Sequence, residues 1–241
     1  MKKLERILKS HKHLVFLDFE GTQFSHEMIA IGAVACSLDR HGKIAKMKKP
    51  FKIYVKAKNK IGKYVVGLTG ITEERLQREG VSFAKAMEEL KKYVGIPFKK
   101  SSFITFGNHD LRILNQSIAY SLTFPKDICS TIQKNYFDYS AFLSEYIKDD
   151  KGNPLSLVHY CEYFGVKEAG VAHDPEIDAI NLANLYNAFL EKTDLVLDGY
   201  KKVLAKSHHF PEPVIYAIKK LAGGEDVSAD EFEQPLKDCL K

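Results

Sequence analysis

Apolar and polar positions alternate along this chain with two different periods. HLVFLDF (residues 13–19) and MIAIGAVAC (28–36) are short apolar runs of the kind that form buried strands. In FKIYVKA, Phe51, Ile53 and Val55 alternate with Lys52, Tyr54 and Lys56, as in a half-buried strand. Asp39 and Gly42 in the intervening SLDRHGK supply turn chemistry and predict a hairpin. SFITF (102–106) is a fourth strand running into GNHD, and a fifth is expected at Tyr136–Tyr139. LTGIT (68–72) reads as a loop.

Helical spacing appears in Phe83, Met87, Leu90 and Val94, with Ser82 as the cap, and again in Leu111, Leu114, Ile118 and Leu122. Further helices are expected over Ala141–Ile147 and over Leu155–Phe164, the latter stopped by Gly165. Asp174 caps a long helix with Pro175 at its first position and Ile177, Ile180, Leu182, Leu185, Phe189 and Leu190 along it. LVLDGYKKVLAKS and EPVIYAIKKLAG predict two more, separated by HHFPEP, and the first residues form a short amphipathic helix. Strands come first as a hairpin and then alternate with helices. The predicted class is therefore α/β with a mixed sheet, a domain over residues 1–193, and a helical extension over 194–241 packed on or beside it.

Composition narrows the picture. The 241 residues suffice for a sizeable core, and 45% hydrophobic with 28% charged residues excludes a disordered or fibrous chain. No apolar run approaches the roughly 18–20 residues that span a bilayer, and the basic start lacks the apolar core of a signal peptide. Cys36, Cys129, Cys161 and Cys239 are far apart and form no CxxC, so free thiols, a cytoplasmic location and no zinc are expected. The formal charge is +5, and from Lys43 to Lys63 there are nine lysines and no acid. Two readings of that run stand: protection of an edge strand, and contact with the phosphates of a nucleic acid.

The candidate chemistry lies in the acids. Asp18 and Glu20 are two residues apart on a strand and project together where it leaves the core. Adjacent carboxylates raise each other's pKa, and a hard cation such as Mg²⁺ or Mn²⁺ is the usual way to keep both ionised. Asp110 opens the helix after a later strand, where capping is the plain alternative. Asp178 lies at the fourth position of its helix, with His173 just outside it. That pair can face one cavity as a metal ligand beside a general base, since histidine accepts protons near neutral pH.

The order of these residues resembles the DEDDh branch of 3′–5′ exonucleases, the superfamily of ribonuclease T and of polymerase proofreading subunits. Its three blocks appear as FLDFEGT, FGNHDLRIL and AHDPEIDAINLANLY, and its TGIT element as Thr69–Thr72. The resemblance implies a ribonuclease-H-like five-stranded sheet of order 3-2-1-4-5. It also implies two divalent ions. Asp18 would bridge them, Glu20 and Asp178 would complete the first site, Asp110 would hold the second, and His173 would be the general base. It implies further that Phe19, Gly21, Thr22, Phe24, Leu68 and Ile71 hold the terminal nucleotide. DFEGT and GNHDL look closer to the ERI-type and KapD-like exoribonucleases, although His109 stands where that group often has an aromatic residue. The expected activity is release of nucleoside 5′-monophosphates from the 3′ end of RNA. A DNA exonuclease of proofreading or repair type, and a catalytically silent nucleic-acid-binding protein, are the alternatives.

Overall fold

The computed structural model describes residues 2–170, 173–206 and 210–239. Six strands form one mixed sheet: β1 (His13–Gly21), β2 (Met28–Leu38), β3 (Ile44–Met47), β4 (Phe51–Tyr54), β5 (Ser101–Thr105) and β6 (Tyr136–Asp138). The helices are α1 (Lys2–Ile7), α2 (Lys63–Thr69), α3 (Glu73–Glu79), α4 (Phe83–Val94), α5 (His109–Tyr120), α6 (Lys126–Lys134), α7 (Tyr139–Leu143), α8 (Leu157–Tyr163), α9 (Pro175–Glu191), α10 (Thr193–Ala205), α11 (Glu212–Ala222) and α12 (Ala229–Cys239). Ala172, from the third sequence block, and His208 and His209, from the last connection, lie outside the described residues.

The sheet runs β3-β2-β1-β5-β6, with β4 also paired to β2. It matches the expected class with one correction: the strand expected third, Phe51–Val55, is β4, and an unexpected strand, β3, precedes it, both lying along β2. Its ladder opposes Cys36 with Met47 and then Ala33 with Phe51, so one extra residue is accommodated across Lys48–Pro50. Pro50 has no N–H to give the ladder, and a one-residue bulge results. The predicted turn at Asp39–Gly42 closes a hairpin, but it joins β2 to β3; the expected partner, β4, pairs antiparallel with β2 further along.

Alternation along β1 divides the core. Leu14 and Phe16 face α9, in a cluster with Leu182, Leu185, Tyr186 and Phe189. Val15, Leu17 and Phe19 face α4, α5 and α6, in a cluster with Met87, Leu90, Ile113 and Ile132. β1 pairs antiparallel with β2 and parallel with β5. Ser82 accepts from Lys85 N and caps α4, as its position predicts.

LTGIT is not a plain loop. Leu68 and Thr69 end α2, Gly70 closes it at φ 67°, and Thr72 caps α3 by accepting from Arg75 N. Helix α2 escapes periodicity because none of its residues is fully buried. Helix α7 runs over 139–143 and stops short of the expected Ile147. Helix α10 joins the main core through Val196, and a third helix, α12, follows the two expected after residue 194. Cys36, Cys129 and Cys161 are buried free thiols. No described helix is long and apolar enough to cross a membrane.

Candidate active site

Asp18 and Glu20 continue the row begun by Leu14 and Phe16 on the α9 face of β1. Both are half-buried, where the strand emerges from beneath the helix. The β1–β5 ladder ends at Phe16 and Ile104. Beyond that point the Phe19 N–H donates to Asp110 Oδ1 at 2.7 Å. Asp110 is buried and sits at the second position of α5, while Asn108 takes the cap position. Asp110 is therefore not the N-cap. It is tethered to the backbone between Asp18 and Glu20. The turn that delivers it is pinned at Gly107 (φ 97°), whose carbonyl accepts from Thr105 Oγ1 and Tyr136 Oη and whose N–H donates to Asp138 Oδ1.

The other members arrive on α9. Asp174 caps the helix by accepting from Glu176 N at 3.1 Å, with Pro175 at the first position, as the sequence predicts. His173 stands just outside with φ 65°, in the left-handed region, and its side chain is exposed. Its N–H donates to Asp178 Oδ2 at 2.9 Å. The seat of this helix end is Gly32 on β2, directly opposite Asp18. A Cβ at Gly32 would lie 1.9 Å from the Pro175 carbonyl oxygen and 2.6 Å from Glu176 N. Only the absence of a side chain lets α9 sit this low on the sheet.

The electrostatics follow from this crowding. Burial pushes the Asp18 carboxyl well above the ordinary range, and the charges of Asp110, Glu20, Asp178 and Asp174 push it further. Burial, then Asp178 and Asp174, raise Glu20 to about 7, against the pull of Lys52. Burial raises Asp110 to about 7, although the N–H of Phe19 opposes the rise. Asp178 is raised by burial and lowered by its bond to His173 N. Four oxygen-donor acids thus share one acidic field, which suits a hard divalent cation. Among the described residues no group of three or more His, Cys, Asp or Glu side chains is placed to hold a metal ion as it stands. One oxygen of Asp110 and one of Asp178 are engaged by backbone N–H groups, as described above.

The residues expected around the terminal nucleotide divide into two groups. Phe24 is 82% exposed and Leu68 39% exposed. Phe19 and Ile71 are buried in apolar clusters. The Thr22 hydroxyl is internal, 2.6 Å from Ser25 Oγ and accepting from Glu27 N. A Cβ on Gly21 would meet Ile113 at 2.9 Å, so the clearance there goes to the core. Of the lysine run, Lys48 donates to the carbonyls of Tyr93 and Val94, Lys58 to that of Tyr120, and Lys52 pairs with Asp174. Sequence reasoning missed Gly32, the pairing of Lys52 with Asp174, and the buried Glu27, which accepts from Lys58 N, Asn59 N and Asn59 Nδ2. A glycine inside an apolar strand was the one available signal, since it marks close backbone approach.

Comparisons with known proteins bear on the family and the fold. A family model described as exonuclease matches residues 15–186. The nuclease domain of 3′hExo, a DEDDh family member bound to rAMP, superposes with a TM-score of 0.59 at 20% identity, over 75% of this chain and 92% of that one. Cell-death related nuclease 4 gives 0.58 at 22% identity, over 75% of this chain and 64% of that one. E. coli exonuclease I in complex with a dT13 oligonucleotide gives 0.58 at 17% identity, over 78% of this chain and 43% of that one. At these identities the likeness is one of fold. No curated protein sequence matches significantly.

Proposed function

The chain belongs to the exonuclease family whose model spans residues 15–186, and from that premise we propose that it is a divalent-metal-dependent 3′–5′ exonuclease that shortens RNA from its 3′ end. The observation that carries the reading is the shared acidic field of Asp18, Glu20, Asp110 and Asp178, with His173 at its margin. These five residues spell the DEDDh pattern.

Asp18, Glu20, Asp110 and Asp178 would hold the divalent ions, Mg²⁺ or Mn²⁺, through their carboxylate oxygens. Bound there, such ions stabilise negative charge on the attacking and leaving oxygens of an in-line phosphoryl displacement. Asp110 keeps one oxygen on Phe19 N and so fixes its orientation relative to Asp18 and Glu20. Asp178 is oriented in the same way by the His173 N–H. The exposed His173 imidazole takes the proton of the attacking water through a ring nitrogen. Phe24 and Leu68, both exposed, offer apolar surface on which a base of any identity can stack.

RNA is favoured by the DFEGT and GNHDL blocks; the fold itself is shared both with a 3′-exonuclease solved in recognition of a histone mRNA stem-loop and with exonuclease I on a DNA oligonucleotide. The test is a time course on matched 5′-labelled RNA and DNA strands with Mg²⁺ or Mn²⁺, beside Asp18→Ala and His173→Ala. The expected result is a ladder shortening from the 3′ end of RNA, abolished in Asp18→Ala and slowed in His173→Ala with little change in KM. Faster loss of DNA would replace RNA as the substrate. Near-full activity of Asp18→Ala would remove the metal assignment.

A further inference from the structure

Lys52 is the member of the lysine run that reaches the candidate site. It lies opposite Gly32 on β2, and Gly32 lies opposite Asp18 on β1, so Lys52, Gly32 and Asp18 form one row across three strands. Directly opposed residues share a face of the sheet. The first turn of α9 rests on the middle of this row, with Pro175 over Gly32. Lys52 Nζ reaches that turn and meets Asp174 Oδ2 at 2.6 Å. The other oxygen of the same carboxylate caps α9. One side chain therefore ends the helix with Oδ1 and ties it to the sheet with Oδ2.

The pair is not an ordinary surface contact. The Lys52 and Asp174 side chains are 22% and 37% exposed, and Nζ also stands 5.6 Å from the centre of the Tyr54 ring. The residue before Asp174 is His173, in a left-handed conformation and bonded through its N–H to Asp178. Whatever fixes Asp174 thus fixes the backbone from which His173 projects. Resting on the exonuclease reading above, we propose that Lys52 is a positioning residue: through Asp174 it clamps the start of α9, and with it His173 and Asp178, against the strand that carries Asp18 and Glu20. The bulge at Lys48–Pro50 makes this possible. Without its extra residue Phe51 would oppose Gly32, and Lys52 would point to the opposite face of the sheet.

The test compares Lys52→Met, Lys52→Arg, Asp174→Asn and the Lys52→Met/Asp174→Asn double variant, each in the full chain. Asparagine keeps the capping oxygen and removes the charge. On labelled RNA, Lys52→Met and Asp174→Asn should each lower kcat by roughly tenfold with KM nearly unchanged, because displacement of the reacting groups costs turnover before binding. The double variant should be no worse than either single one, and Lys52→Arg should recover most of the loss. A raised KM and flatter salt dependence in Lys52→Met, with Asp174→Asn unaffected, would make Lys52 a phosphate contact and overturn the proposal. So would additive losses. Hydrogen–deuterium exchange of the segment 173–178 reads the clamp without activity. It should quicken in Lys52→Met and Asp174→Asn but not in Lys52→Arg, and unchanged exchange would overturn the proposal. If the unaltered chain cuts neither RNA nor DNA, the exonuclease reading fails, and the exchange result still decides whether the clamp exists.

Discussion

Adding one methyl group at Gly32 tests how α9 is seated. Glycine in a strand is ordinarily the weaker choice, and replacing it with alanine is expected to stabilise by about 0.5–1 kcal/mol. The structure reverses that sign. The new Cβ would stand 1.9 Å from the Pro175 carbonyl oxygen and 2.0 Å from its carbon, whereas ordinary contact begins at about 3.4 Å. Both atoms belong to the backbone, so no side chain can rotate out of the way, and the helix end must retreat by about 1.5 Å. Overpacking of this kind costs about 1–3 kcal/mol. For a chain of this size that lowers Tm by roughly 2–12 °C. The same retreat moves Asp178 and His173 away from Asp18, and a misplacement on the order of 1 Å costs about a hundredfold in rate. Gly32→Ala should therefore lose both Tm in a thermal melt and kcat in the RNA time course, although it removes no polar group. A Gly32→Ala protein with unchanged or raised Tm and full turnover would refute the reasoning.

Asp110 separates chemistry from folding. Asp110→Asn keeps an oxygen to accept from Phe19 N, whereas Asp110→Ala leaves that buried N–H unpaired at a cost of about 1–3 kcal/mol. Both variants should lose hydrolysis, and urea midpoints should fall for alanine far more than for asparagine; equal midpoints would show that the bond contributes nothing. The raised carboxyls predict a pH dependence. In the folded chain Glu20 and Asp110 release their protons near 7, later than the 4.5 and 3.8 of the free side chains. The folded state thus binds more protons between those values, and stability present at acid pH is lost as pH rises toward and through 7. With chelator present, Tm should fall over that window. Mg²⁺ or Mn²⁺ should raise Tm more at pH 8 than at pH 5, because protonated acids do not ligate; an equal rise at both would contradict the assignment.

Much of the site was legible in the sequence because its members are tied to local periods. A strand puts Asp18 and Glu20 on one side whatever surrounds it, and Asp174–Pro175 starts a helix by capping chemistry alone, which places Asp178 on its first turn. The order of elements gave the α/β class for the same reason. Helix α2 was not legible. It has no fully buried residue, Gly67 lies inside it, and its end is set by Gly70 and Thr72. Nor was the tether of Asp110, where a cap reading and a buried bond to Phe19 fit the same residues until β1 and β5 are seen to part beyond Phe16.

The sequence by itself determined which residues could carry the chemistry and on which local elements they stand. Only the tertiary structure decided how those elements meet. A lysine run with no acid is compatible with edge protection, phosphate contact or ion pairing, and one extra residue at Lys48–Pro50 turned Lys52 toward Asp174. Gly32, inside an apolar strand, signals a close backbone approach, but what approaches is settled only when α9 is laid across it. Clearance and pairing arise here between segments more than a hundred residues apart, and a strand's period of two leaves the choice of face open until its partner is in place.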